Sequence, residues 1–446
     1  VTNPGSPTTS SDFTAANAEN VVVLDRTLHP SEPLTAGSDD EDIGHIFALP
    51  VMDDVNPFKT SQISLLNNNR WAVILGNGYN SKNERPVLLI QYLDGSKELQ
   101  KIVATGNQKL STPVNTTNDT DIIANGLSAP RLVDLNSDYK ADVVYAGDLK
   151  GNLWKFDLTS TNATEWSVSG WGSADLCAWK TAVCKPLFTA KYSGKRQPIS
   201  APPSVRANDR GAGGMMVAFG TGVNVTDSDR SSTDVQSVYS ILDNTRYKTL
   251  SAGGVKINTD TGDNGVIPSA ISGTSQLVEQ EMDGSAGGST RFWKMKNHDV
   301  TFTGAGAKKG WYFNFQVSSE RVLRPMEFFD GSNNLMIFST TPAYGGNGSN
   351  EESCEPAGTP EKSYLTLMNI MDGKAPSVQV MDTDGDGYYI NESGKDDNAS
   401  RIQLSPGAVS SVVGKKTIDL TGGDGKVDKL RRMPEQPMRP SWRQLQ

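Results

Sequence analysis

Short apolar runs of about four to six residues, closed by glycine turns, recur along this chain and dictate its architecture. They sit in RWAVILGNGYN (70–80), RPVLLIQYLDG (85–95), ADVVYAGDLKGNLWKFDL (141–158), MMVAFGTGVNV (215–225), SVYSILDN (237–244), GWYFNFQV (310–317), NLMIFSTTPAY (334–344) and SYLTLMNIMDGK (363–374). Runs of that length, bounded by Gly, Asn and Asp, read as buried strands. The rhythm of apolar strand, Gly-x-Gly or Gly-Asp-x-x-Gly turn, and second strand suits the meandering blades of a β-propeller. Composition agrees: 43 glycines and 23 prolines in 446 residues, with 36% hydrophobic residues, fit many short strands and long turns.

The expectation is one all-β domain over 1–446 with long loop insertions and no linker between independent domains. Residues 1–45 form a polar leading segment, 251–290 and 345–362 are read as long loops, and 424–446 as a basic C-terminal tail. No stretch reaches the roughly eighteen apolar residues of a membrane-spanning helix. The chain starts on Val1 in mid-phrase and is read as a fragment of a longer precursor. A net charge of −9 repels phosphate, which argues against a nucleic-acid partner.

The most informative stretch for chemistry is VDLNSDYKADVVYAG (133–147). Counting Asp134 as position 1, Asn136 is 3, Asp138 is 5, Lys140 is 7 and Asp142 is 9. Side-chain oxygens at 1, 3 and 5, a main-chain carbonyl at 7 and an acid at 9 are the hard-oxygen set that Ca²⁺ takes. An EF-hand would place Glu at position 12, where this chain has Tyr145 inside a strand. The reading is a shorter, nine-residue loop whose last ligand sits at a strand entrance. Three clustered carboxylates would repel one another without a cation.

A second calcium loop is expected in MDTDGDGYYINESG (381–394), with Asp382, Asp384 and Asp386 in register, the Tyr388 carbonyl next, and Glu392 replacing the missing closing acid. GGDGKVD (422–428) keeps only Asp424 and Asp428 and reads as an ordinary turn. Cys177 and Cys184 lie seven apart and suit a small disulfide in a secreted protein, the alternative being two free thiols. Cys354 is left with a partner outside the chain or as a free thiol. No G-x-S-x-G elbow or phosphate loop with correct spacing is present, and no carboxylate pair stands out, so the chain is not read as an enzyme.

These phrases together resemble the C-terminal propeller of the PilY/PilC family of type IV pilus tip-associated adhesin and biogenesis proteins. The resemblance rests on RWAVILGNGYNS (70–81), GLSAPRLVDLNSDYKADVVYAGDLKGNLWKFDL (126–158), PLFTA (186–190), RQPISAPPSV (196–205), MMVAFGTG (215–222), ERVLRP (320–325) and SWRQL (441–445). It implies a modified propeller of about seven blades, with the first blade or blades missing from this fragment. It further implies a role in pilus biogenesis, in extension against retraction during twitching motility, and in host or surface adhesion. The implied partners are minor pilins at the pilus tip, a host-cell or surface receptor, and the N-terminal half of the same precursor. The implied location is extracellular, at the pilus tip and outer-membrane surface. The family's calcium loop maps onto Asp134, Asn136, Asp138, Lys140 and Asp142, the set that the spacing had selected. No RGD tripeptide occurs. The alternative is a quinoprotein-like or carbohydrate-binding propeller of the bacterial envelope. It lacks an adjacent-cysteine pair and sialidase-type Asp boxes.

Overall fold

The computed structural model describes residues 39–46, 50–52, 60–105, 125–171, 184–251, 253–285, 291–342, 361–383, 389, 398–405, 410–414, 416–422 and 425–433. Strands dominate. β1 (Ile63–Leu66), β2 (Trp71–Gly76), β3 (Val87–Tyr92) and β4 (Leu99–Val103) form an antiparallel meander, the first sheet. Then come β5 (Arg131–Val133), β6 (Lys140–Ala141), β7 (Val143–Gly147), β8 (Asn152–Asp157), β9 (Ser167–Val168) and β10 (Phe188–Thr189). All of these except β6 build the second sheet; β6 instead joins the first, parallel to β1. A ribbon of β11 (Lys191–Tyr192) and β12 (Lys195–Arg196) leads on to β13 (Ser204–Ala207), β14 (Met215–Gly220) and β15 (Ser237–Asp243) of the third sheet.

A second ribbon, β16 (Tyr247–Thr249) and β17 (Val255–Ile257), precedes β18 (Val278–Gln280), β19 (Met282–Ser285), β20 (Phe292–Met295) and β21 (Gly310–Asn314). Of these, β18 and β21 complete the third sheet. β19 and β20 pass to the fourth, with β22 (Glu327–Phe328), β23 (Asn334–Thr341), β24 (Lys362–Asn369) and β25 (Arg401–Leu404). β26 (Ser410–Val413), β27 (Thr417–Thr421) and β28 (Val427–Arg431) make a last three-stranded sheet.

Two expectations need correction. Residues 251–290, read as a loop, supply β17, β18 and β19, and the basic tail from 424 begins with β28. These strands are short and carry no continuous apolar run, so pairing with β16, β21, β20 and β27, not their own composition, makes them strands.

The apolar runs of the second, third and fourth sheets are buried on both faces because each of these sheets packs between two neighbours. Side chains alternate across a strand. Val144 and Ala146 therefore enter a core with Leu66, Ile74 and Leu88 of the first sheet. Val143 and Tyr145 point the other way, into a core with Val217, Phe219, Tyr239 and Ile241 of the third. The pattern repeats: Met216, Ala218, Val238 and Leu242 pack with Leu335, Ile337 and Met368 of the fourth sheet. Met336, Leu365, Leu367 and Ile402 then face Ile418, Leu420 and Leu430 of the last. Each fully buried Val, Leu or Phe contributes roughly 1.5–3 kcal/mol. Exposed ion pairs contribute about 0–1 kcal/mol. The seams between sheets therefore outweigh the surface pairs.

Glycine punctuation serves close approach between sheets. A Cβ on Gly76 would lie 2.0 Å from the Ser128 carbonyl oxygen, and one on Gly126 would lie 1.8 Å from that of Gly78. The Gly-Asp-x-x-Gly turn is organised by buried Asp148. Its carboxylate accepts from the Lys150 and Asn152 backbone N–H groups, from the Asn152 and Asn125 amides, and from Trp154 Nε1 at 2.8 Å.

Charges also cross the seams. Lys155 Nζ lies 2.5 Å from Asp243 Oδ2, joining the second and third sheets, and both side chains are buried. Tyr145 donates its hydroxyl to the same oxygen at 2.6 Å. Removing one partner of a buried pair strands the other charge, at a cost of about 3–5 kcal/mol. Lys155→Met is therefore expected to lower unfolding stability by about that amount, read from the denaturant midpoint at constant slope.

Near the start of the described chain, Asp42 is buried and pairs with Arg85 and Lys101 at 2.8 and 2.9 Å. Burial alone would raise its carboxyl. Hydrogen bonds from Arg85, Lys101 and Asn83 outweigh that and hold it at about 2, below the ordinary 3.8. A depressed carboxyl stabilises the fold above its unfolded pKa, and that contribution is lost as pH falls toward the folded value. Stability should therefore drop between about pH 4 and pH 2, and Asp42→Asn should flatten that acid limb in pH-dependent unfolding.

Candidate metal centre

The 134–142 loop leaves the second sheet at Val133 and returns to it at Val143. Its ends are tied by the Asp142 N–H to the Val133 carbonyl at 2.9 Å, and by the Leu158 N–H to the Asp142 carbonyl at 2.8 Å. Inside it, Ser137 and Tyr139 adopt φ of 63° and 67°, a left-handed conformation that L-residues enter rarely. Asp134 holds that shape. Its Oδ1 accepts the N–H groups of Asn136 (3.2 Å), Ser137 (2.7 Å) and Asp138 (3.3 Å), and its Oδ2 accepts that of Tyr139 at 2.7 Å. Asn136 Oδ1 accepts the Asp138 N–H at 3.2 Å, and Asp138 Oδ1 accepts the Lys140 N–H at 3.0 Å. The two-residue spacing read from the sequence is thus a ladder of side-chain-to-backbone bonds that curls the loop around its own oxygens.

Exposure is graded through the loop. Asp134 is exposed, Asn136, Asp138 and Lys140 are half-buried, and Asp142 is fully buried. The Asp142 carboxylate accepts the Leu135 N–H at 2.8 Å and the Asn67 amide at 3.0 Å, both neutral donors. Burial pushes the Asp142 carboxyl up, and nearby Asp138 and Asp134 add to the rise against the pull of those two hydrogen bonds. A buried carboxylate with neutral donors and two acids nearby is the electrostatic situation a cation relieves.

Among the described residues, no three His, Cys, Asp or Glu side chains are gathered closely enough to hold a metal ion by themselves. The loop's acids are turned onto its own backbone. A carboxylate oxygen has about two acceptor positions. Asp134 Oδ1 is filled by its three N–H donors, while Asp134 Oδ2, Asp138 Oδ1 and both Asp142 oxygens accept one each and keep a lone pair for a cation. The donor set also includes the Asn136 amide oxygen and the Lys140 carbonyl. All are hard oxygens of the kind Ca²⁺ prefers, so the residues fit that ion.

Of the second acidic loop, Asp382 lies half-buried just after the bridge of Met381 to Leu430. Asp384, Asp386, Tyr388 and Glu392 lie outside the described residues. Of the 422–428 stretch read as a turn, Asp428 lies in β28 and pairs with Arg291, and Asp424 lies outside the described residues. Cys184 is buried and disulfide-bonded; Cys177 and Cys354 lie outside the described residues. One contributor escaped the sequence reading: Asn67, 75 positions from Asp142. It sits in LLNNNR, a run that reads only as a turn, and no local pattern marks it.

The chain as a whole is similar to known proteins. Residues 54–268 match the family model described as the PilY1 beta-propeller domain. The chain is 29% identical over 391 residues to the type IV pilus biogenesis factor PilY1 of Pseudomonas aeruginosa strain UCBPP-PA14, covering 82% of this chain and 29% of that protein. It is 35% identical over 188 residues to a PilY1 homolog of Xylella fastidiosa, covering 42% of this chain and 12% of the homolog. The chain thus spans less than a third of the length of these relatives. The crystal structure of the Pseudomonas aeruginosa PilY1 C-terminal domain superposes with a TM-score of 0.61 at 23% identity, covering 89% of this chain and 74% of that one. The fold is that of the PilY1 propeller, and nearly half of the chain matches that family's propeller model.

Proposed function

We propose that this propeller is the calcium-binding part of a type IV pilus biogenesis factor. In this reading it works at the pilus tip, on the outside of the cell. It supports assembly, biases extension against retraction, and takes part in adhesion to a host cell or surface. The names of its relatives as type IV pilus biogenesis factors support the pilus assignment. The observation that carries the calcium reading is the buried Asp142 carboxylate, held by neutral donors at the end of an all-oxygen loop.

When bound, Ca²⁺ would supply the positive charge that the loop's three carboxylates lack. Asp134, Asn136, Asp138 and Asp142 would hold it through side-chain oxygens, and Lys140 through its carbonyl, leaving the Lys140 ammonium in solvent. Occupancy would order this end of the second sheet and so bias which surface meets a minor pilin, the receptor or the N-terminal half of the precursor. The chain acts as a binding and assembly module in this account, without catalysis. The Asp382–Glu392 loop is proposed as a second, independent calcium site on its DxDGDG opening.

Calorimetric titration of the chelator-stripped protein with Ca²⁺ tests the assignment. Wild type is expected to bind. Asp142→Ala should lose the 134–142 site, and Lys140→Ala should keep it, because only the carbonyl is used. Heat that survives in Asp142→Ala would be assigned to the Asp382–Glu392 loop. Equal titrations for wild type and Asp142→Ala would remove the 134–142 loop from the account. A cell carrying Asp142→Ala should show altered twitching while Lys140→Ala behaves as wild type.

A further inference from the structure

The 134–142 loop does not belong to one sheet. It begins and ends in the second, at β5 and β7, yet its β6 segment is the fifth strand of the first sheet. Lys140 and Ala141 pair in parallel with Leu65 and Leu66 of β1. Immediately after β1 stands Asn67, which is buried. Its Nδ2 donates to the Ala141 carbonyl of β6 at 3.2 Å and, across the seam, to Asp142 Oδ1 at 3.0 Å and the Leu158 carbonyl at 2.9 Å. The other Asp142 oxygen accepts the Leu135 N–H, so both ends of this carboxylate are fixed, one from its own loop and one from across the seam.

We propose that Asn67 is a positioning residue for the calcium loop, and that the loop is a strap whose occupancy is coupled to the seam between the first and second sheets. This rests on the calcium reading above and adds to it a site of action. The residue whose carbonyl would face the ion, Lys140, is the residue whose backbone is paired to β1. The carboxylate that would close the site, Asp142, is oriented by a side chain of the first sheet. A cation drawing on those two groups pulls on the β1–β6 pairing. By reciprocity, anything that opens that seam weakens cation binding by the same factor. Residues that orient a metal ligand from behind typically matter by about 10–100-fold in affinity.

Amide hydrogen exchange on the wild-type chain, with Ca²⁺ or with chelator, reads the coupling directly. Calcium-dependent protection is expected over 63–70 as well as over 134–142, with β27–β28 (417–431) unchanged as the internal control. Calorimetry on Asn67→Ala should show Ca²⁺ affinity reduced by about 10–100-fold, with the calcium-dependent protection over 63–70 lost and that over 134–142 retained. Protection confined to 134–142 in the wild type would overturn the strap while leaving calcium binding intact, as would an Asn67→Ala variant that binds as tightly as wild type. Should Asn67→Ala fail to fold, the wild-type exchange pattern decides alone. A wild type that takes up no Ca²⁺ would overturn the calcium reading itself, and the strap with it.

Discussion

Everything in this molecule depends on strands that are apolar on both faces. A sheet packed on one side only would alternate apolar and polar residues, with the polar set in water. Here VVYAG sends Val144 and Ala146 into one seam and Val143 and Tyr145 into the next. Successive sheets can therefore share cores in series, with the second, third and fourth each acting as the wall of two. That arrangement forces the glycine turns, because the sheets approach closely where their ends meet. It also forces buried polar groups to be satisfied within a seam, as Lys155 and Asp243 are.

The acidic loop is built at one such seam and inherits its character from it. A nine-residue acidic loop in solvent would be a solvated turn. This one has its last acid driven into the join between two sheets, where burial and the neighbouring acids disfavour its charge. Asp134 holds the backbone in shape through N–H bonds that need no ion. The geometry thus separates two tasks: Asp134 shapes the loop, and Asp142 connects it to the rest of the domain. The two left-handed residues, Ser137 and Tyr139, are the local conformational cost of that shape.

Some of this was legible before any coordinates. The long apolar runs named the central strands, because a strand buried on both faces cannot hide its composition. The loop's turn was legible because its Asp and Asn spacing is local, and those side chains do bond the backbone two to five residues on. Other features were not. The strand β18 is three residues long and contains Glu and Gln, so it reads as loop until β21, some thirty residues on, is supplied as its partner. Lys155 reads as an ordinary exposed lysine on a strand, yet it is buried against Asp243, 88 positions away.

Sequence alone determined what is local: strand identity, glycine turns, the acid spacing of 134–142, and the family that those phrases resemble. Tertiary structure decided what is shared between sheets. It chose which face of each strand meets which neighbour, sent β6 to the first sheet while its flanks stayed in the second, and brought Asn67 onto Asp142. The reason is physical. Ligand spacing and strand alternation are written within a few residues. A hydrogen bond between residues 75 apart exists only once two sheets have packed, and packing is a property of all the residues that line the seam.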